Sequence, residues 1–156
     1  MPFILDPNSP LVHKVMGRVR TFLKDFTHKN TLLVGEESSD DELILYLELA
    51  IDDFNNAHTP RTNFGLANFP SFALLLWGTV IQALLSESIL QIRNRLSYSD
   101  GGITVALSDK SPDLANAAQG LIVNYERKVE DLKKQLNAEA AFGNVPSEYG
   151  TVEFFF

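Results

Sequence analysis

The sequence predicts a mainly α protein, a four-helix bundle-like domain with a short β-hairpin and an extended C-terminal tail. Three observations carry that expectation. Apolar residues recur at spacings of three and four through four separate stretches, and helix-starting residues stand in front of them. The β-type pattern is confined to one short run behind a Gly-Gly turn. With 156 residues, 45% of them hydrophobic, the chain can bury roughly 68–70% of its unfolded surface and needs no staple. The expected organisation is one helical domain over residues 1–143, then a linker and docking tail over 144–156.

The first helix is expected to start at Ser9-Pro10, a capping hydroxyl followed by Pro where its missing N–H is harmless. Leu11, Val15, Val19, Phe22 and Phe26 would form its apolar stripe, with Lys14, Arg18 and Lys24 on other faces. Ser39 opens the second helix with the S-x-x-E pattern of a capping box. Asp40 and Asp41 there meet the positive end of the helix dipole. Leu43, Leu47, Ala50, Ile51 and Phe54 follow as its buried stripe, and the helix should end near Asn55-Asn56.

Residues 58–70 are rich in turn formers and read as a loop pinned by Phe64 and Phe69. A third helix is expected from about Ser71 toward Leu96. It is apolar all round in its first half, then amphipathic through Ile89, Ile92 and Leu96. Asp100-Gly101-Gly102 ahead of Ile103-Thr104-Val105 predicts the hairpin. Ser111-Pro112-Asp113 then caps a fourth helix. Its Leu114, Ala118, Leu121, Tyr125, Val129, Leu132 and Leu136 make a coiled-coil-like seam, while Glu126, Arg127, Lys128, Glu130, Asp131, Lys133 and Lys134 coat the outside. The helix should fade near Gly143. Three consecutive aromatic residues, Phe154, Phe155 and Phe156, follow the Pro- and Gly-containing spacer, and contiguous apolar surface of that kind marks a segment that docks on another subunit, the alternative being a tail folded back on its own core.

Charge is patterned rather than uniform. The net charge of -7 hides eight acids from Glu36 to Asp53 with no Lys or Arg among them, preceded by a basic segment carrying Lys14, Arg18, Arg20, Lys24 and Lys29. The basic first helix and acidic second helix can neutralise each other, within one molecule or between copies. Interface residues are therefore expected at Asp40, Asp41, Glu42, Lys14 and Arg18, and at Phe154, Phe155 and Phe156.

Chemistry finds no residue set to carry it. There is no Cys, which removes thiolate metal sites and cysteine nucleophiles. His13, His28 and His58 lack metal-binding spacing, the pairs Asp40-Asp41 and Asp52-Asp53 read as a helix cap and a solvated helix end, and no phosphate loop or nucleophile elbow occurs. No catalytic residue, cofactor or metal is expected, and the chain is not expected to be an enzyme. Acidic balance and the lack of aromatics interleaved with bases argue against nucleic-acid binding as the main role. The N-terminus carries no basic region ahead of an apolar core, so no export signal is expected. Residues 62–86 are uncharged, but polar residues leave only Phe72–Leu85 strongly apolar, which predicts a buried helix or subunit interface and no membrane partner.

The segment from Asp40 to Asp53, with an acidic start, Tyr46-Leu47-Glu48 in its middle and Ala50-Ile51 near its close, resembles the opening helix of the small head–tail connector (adaptor or head-completion) proteins of tailed bacteriophages. A Pro-bearing loop, a long apolar helix and a further helix follow, as in such proteins. The resemblance covers residues 39–96 by pattern and the remainder by architecture. The apolar run Phe72–Leu85, the seam of the fourth helix and the Phe154–Phe156 end depart from the family pattern. What the resemblance implies is a virion structural protein, made in the host cytoplasm and located at the head–tail junction. It implies a homo-oligomeric ring of about twelve copies bound to the portal and to a tail or neck protein. Genomic DNA would pass through its lumen without specific binding, since negative charge repels the duplex. The alternatives are another assembly protein, such as a tail terminator, neck or scaffold component, or a helical nucleic-acid binder.

Overall fold

A computed structural model describes residues 5–29, 35–93, 97–100, 103–106 and 111–142. The protein is mainly helical. Its helices are α1 (Pro10–Leu23), α2 (Asp40–Asn56), α3 (Phe72–Arg93) and α4 (Ser111–Phe142). Two four-residue segments between α3 and α4, β1 (Ser97–Asp100) and β2 (Ile103–Ala106), pair antiparallel with Asp100 opposite Ile103. They add no sheet layer to the helical body. The expected docking tail, 144–156 with Phe154, Phe155 and Phe156, lies outside the described residues.

Each helix end has a local cause. Pro10 occupies the first turn of α1, but the Ser9 side chain makes no capping bond, which corrects the expected hydroxyl cap. Instead the Asp6 carboxylate accepts from the Asn8 N–H at 3.0 Å, and the Asp6 carbonyl accepts from Ser9 N–H. The chain leaves α1 through Lys24 in the left-handed region (φ 62°), with its N–H on the Arg20 carbonyl. At α2 the expected capping box is present: Ser39 Oγ accepts from Glu42 N–H, and Glu42 Oε2 accepts from Ser39 N–H at 2.7 Å. Two orphan donors are thereby satisfied where the dipole also favours Asp40 and Asp41.

The apolar face of α1 differs from the expected one. Val12, Val15, Met16 and Val19 are buried, whereas Leu11 and Phe22 are exposed. Both sets satisfy a 3.6-residue period, and packing against α2 and α3 selects the first. In α2 the expected stripe Leu43, Leu47, Ala50, Ile51 and Phe54 is buried throughout.

Helix α3 is the centre of the body and packs on α1, α2 and α4. One apolar cluster joins α1 and α2 to Leu75, Val80 and Ala83 of α3, and a second joins Phe54, Leu74 and Ile81 to Tyr125 and Val129 of α4. These clusters cover two flanks of the first half of α3, but not every side, since Phe72 is 45% exposed. The close approach depends on Gly78: a Cβ there would lie 3.0 Å from Ala50 Cβ and 3.2 Å from Tyr125 Oη. In its second half the expected stripe is not buried, since Ile89 and Ile92 are each 59% exposed.

The loop between α2 and α3 is fastened by one buried residue. Asn55 Oδ1 accepts from Phe64 N–H at 2.9 Å and from Thr62 Oγ1 at 3.0 Å, and its Nδ2 donates to the Phe64 carbonyl at 2.8 Å. Phe64 and Phe69 then pack on the Phe54 ring, with centroids 6.0 and 4.7 Å away, as expected of pinning residues.

On α4 the seam positions Ala118, Tyr125 and Val129 are buried. The charged coat holds with one correction. Lys133 is 1% exposed, and its Nζ donates to the Asn55 carbonyl at 3.1 Å and to the Ala57 carbonyl, 5.1 Å from the Phe54 ring centroid. The end of α2 leaves carbonyls without helical partners, and this ammonium supplies donors to them. Burial holds its pKa below the usual lysine range.

Candidate interaction surface

The basic and acidic segments meet inside one chain. Arg20, 7% exposed, donates from Nη1 to Asp25 Oδ2 at 2.9 Å and from Nη2 to Asp40 Oδ1 at 2.7 Å; Glu36 Oε2 lies 3.0 Å from Nη2. Asp25, 3% exposed, also accepts from the N–H groups of Glu37 and Ser38. One guanidinium fork thus ties the end of α1 and the residues after it to the start of α2. The sequence expects the two charged segments to neutralise each other but does not single out Arg20 and Asp25 as the buried pair, because residue type does not reveal depth.

Of the expected interface residues, Asp40 is engaged by Arg20 and Glu42 by the Ser39 cap, so both have structural work within the chain. Asp41 is exposed beside them. Lys14 and Arg18 are exposed on α1. Their spacing places them on the same face as Leu11 and Phe22, which are 38% and 46% exposed. The three expected phenylalanines lie outside the described residues.

Three concavities accompany these surfaces. A cleft of about 440 Å³ lies between the end of α2, α3 and α4, floored by Ile81, Leu85 and Ile122, with Asp53, Gln82, Tyr125 and Glu126 around it. Gln82 Nε2 donates to Asp53 Oδ2. Burial, with a smaller contribution from neighbouring Asp52, raises the Asp53 pKa against the lowering effect of that hydrogen bond. Burial and the Asp53 charge push the Tyr125 phenol well above its ordinary range. A second cleft beside Trp77 and Leu132 is crossed by Lys128, whose Nζ stands 4.6 Å from the Trp77 ring centroid. The third, where Tyr46 Oη donates to Ser86 Oγ at 2.8 Å, is rimmed by Ile89, Leu90 and Arg93.

Among the described residues no group of three or more His, Asp or Glu could hold a metal ion. What the surface offers is apolar contact edged by charge. Leu45 and Leu49 of α2 are 50% and 40% exposed, and Leu90 of α3 is 44% exposed between Ile89 and Ile92. Helix α3 is long and apolar enough to cross a membrane by length and composition, and only 44% of its most apolar window is buried within the chain. No protein-family model, no curated protein and no solved structure matches this chain.

Proposed function

We propose that the protein is a non-enzymatic virion structural protein, a head–tail connector subunit of a tailed phage that forms a ring between portal and tail. In that reading the helices form a four-helix bundle, the β1–β2 pair is its hairpin, and residues 144–156 are an extended arm. The observation that carries the reading is the apolar surface that the helices leave uncovered, above all Ile89, Leu90 and Ile92 in the last turns of α3. Exposed apolar residues grouped on helices that otherwise bury a full core fit a subunit whose neighbours complete its burial. The likeness of residues 40–53 to the opening helix of connectors supplies the kind of assembly, and the net charge of -7 suits a lumen that lets DNA slide.

Native mass measurement tests the proposal, on the purified chain alone and mixed with the portal protein of the genome that encodes it. A closed ring, free or seated on the portal, is expected. A chain that stays monomeric under both conditions overturns the reading. Removal of residues 151–156 should preserve the helical circular dichroism spectrum and abolish the ring, whereas unchanged assembly would take Phe154, Phe155 and Phe156 out of the interface.

A further inference from the structure

We infer that the cleft between α2, α3 and α4 receives the exposed face of α1 from a second copy of the chain, in a head-to-tail contact. The inference rests on the assembly reading above and names the two surfaces that would make the ring. Complementarity of charge and of apolar composition carries it. The charged residues lining the cleft, Asp53 and Glu126, are both acidic, and its floor is apolar. The outer face of α1 has the matching composition: Lys14 and Arg18 flanked by exposed Leu11 and Phe22. Two cations between two apolar side chains match, in charge and polarity, a cleft lined by two carboxylates and by aliphatic side chains.

The two surfaces belong to different sides of the molecule. Helix α1 packs into the cluster containing Leu75, Val80 and Ala83, whereas the cleft opens beside the cluster containing Ile81, Tyr125 and Val129. A patch on one side that fits a different patch on the other makes a heterologous contact. Such contacts propagate from copy to copy and close into a ring when the rotation allows. An isologous dimer would leave neither surface free to continue. Desolvating Asp53 further under an incoming helix would disfavour its charge unless a cation came with that helix, and Lys14 or Arg18 supplies one.

Charge reversal tests the contact. The paired substitution Lys14→Glu with Arg18→Glu, and separately Asp53→Lys with Glu126→Lys, should each weaken self-association at least about tenfold in sedimentation velocity at low salt. A chain carrying all four changes should recover assembly, as should a mixture of the two double variants. Circular dichroism melting of each variant checks that the fold persists. Leu11→Asn with Phe22→Asn provides a second probe that leaves the cleft untouched and should also weaken association. If the parent assembles while both reversals and the Asn pair assemble equally well, this contact is overturned and the assembly reading stands. Loss of assembly in both reversals with no recovery in the four-fold variant or the mixture also overturns the contact. If the parent remains monomeric alone and with portal, both fall.

Discussion

Arg20 Nη2 stands 2.7 Å from Asp40 Oδ1, while Nη1 of the same guanidinium stands 2.9 Å from the buried Asp25. Among the described residues, this guanidinium fork joins the basic first helix to the start of the acidic second helix. Two separated donors on one planar group, each facing a different carboxylate, suit Arg and do not suit Lys.

Unequal costs follow from that geometry. Arg20→Ala removes the partner of a carboxylate that is 3% exposed and should destabilise the protein by about 3–5 kcal/mol. Asp40→Asn, at a side chain 62% exposed, should cost less than about 1 kcal/mol. Urea unfolding of both variants measures the difference. Equal losses would show that Asp25 is held by its backbone donors without help from Arg20.

Lys133 is the second buried cation, and its role differs, since it faces carbonyl oxygens and an aromatic ring. Lys133→Met keeps the aliphatic stem against Phe54 but removes the donors to the Asn55 and Ala57 carbonyls. Loss of about 1–3 kcal/mol is expected, the penalty for leaving the Ala57 carbonyl without its donor, since the Asn55 carbonyl keeps the Thr62 N–H at 3.1 Å. Hydrogen exchange should show the effect concentrated at the end of α2 and in the 58–70 loop that Asn55 fastens. A stability unchanged in urea would mean that water replaces the ammonium.

Two glycines separate packing from propensity. Gly120 of α4 has open space where a Cβ would be, so Gly120→Ala should stabilise by about 0.5–1 kcal/mol through helix propensity alone. Gly78→Ala gains the same propensity but drives a methyl group to 3.0 Å from Ala50 Cβ, a short stiff side chain that cannot swing away. Overpacking of about 1–3 kcal/mol should outweigh the gain and leave the variant less stable. Thermal melts of the two variants should therefore shift in opposite directions.

Legibility in the sequence followed the kind of interaction. The start, stripe and end of α2 were readable because a capping box and a run of i, i+3, i+4 apolar residues are local signals. The face of α1 was not, because Leu11/Phe22 and Val12/Met16 satisfy the helical period equally and only α2 and α3 decide between them. Lys133 was read as solvated because it sits in a charged run, yet it lies on the seam side of α4, one residue from Leu132. The cleft was invisible for another reason: Asp53 is the exposed helix end the sequence suggests, but its hydrogen-bond partner Gln82 is 29 residues away. Pairing at that distance leaves no periodic trace.

Asp53 gives the protein a pH dependence whose sign can be worked out. Burial, foremost, and repulsion from Asp52 raise its folded pKa above the unfolded value, in spite of the Gln82 hydrogen bond. The folded state then binds the proton more tightly than the unfolded chain does. The associated stability is fully present below the unfolded aspartate value and is lost as pH rises through the folded one. Asp53→Asn removes the titration while keeping an acceptor for Gln82. The variant should therefore melt higher than the parent at neutral pH, with the difference shrinking to nothing below the ordinary aspartate range. Thermal melts of both proteins across that interval measure it. A difference that stayed constant with pH would show that Asp53 titrates as it does in the unfolded chain. A variant that melted lower at neutral pH would show that the Gln82 hydrogen bond to the charged carboxylate outweighs the burial.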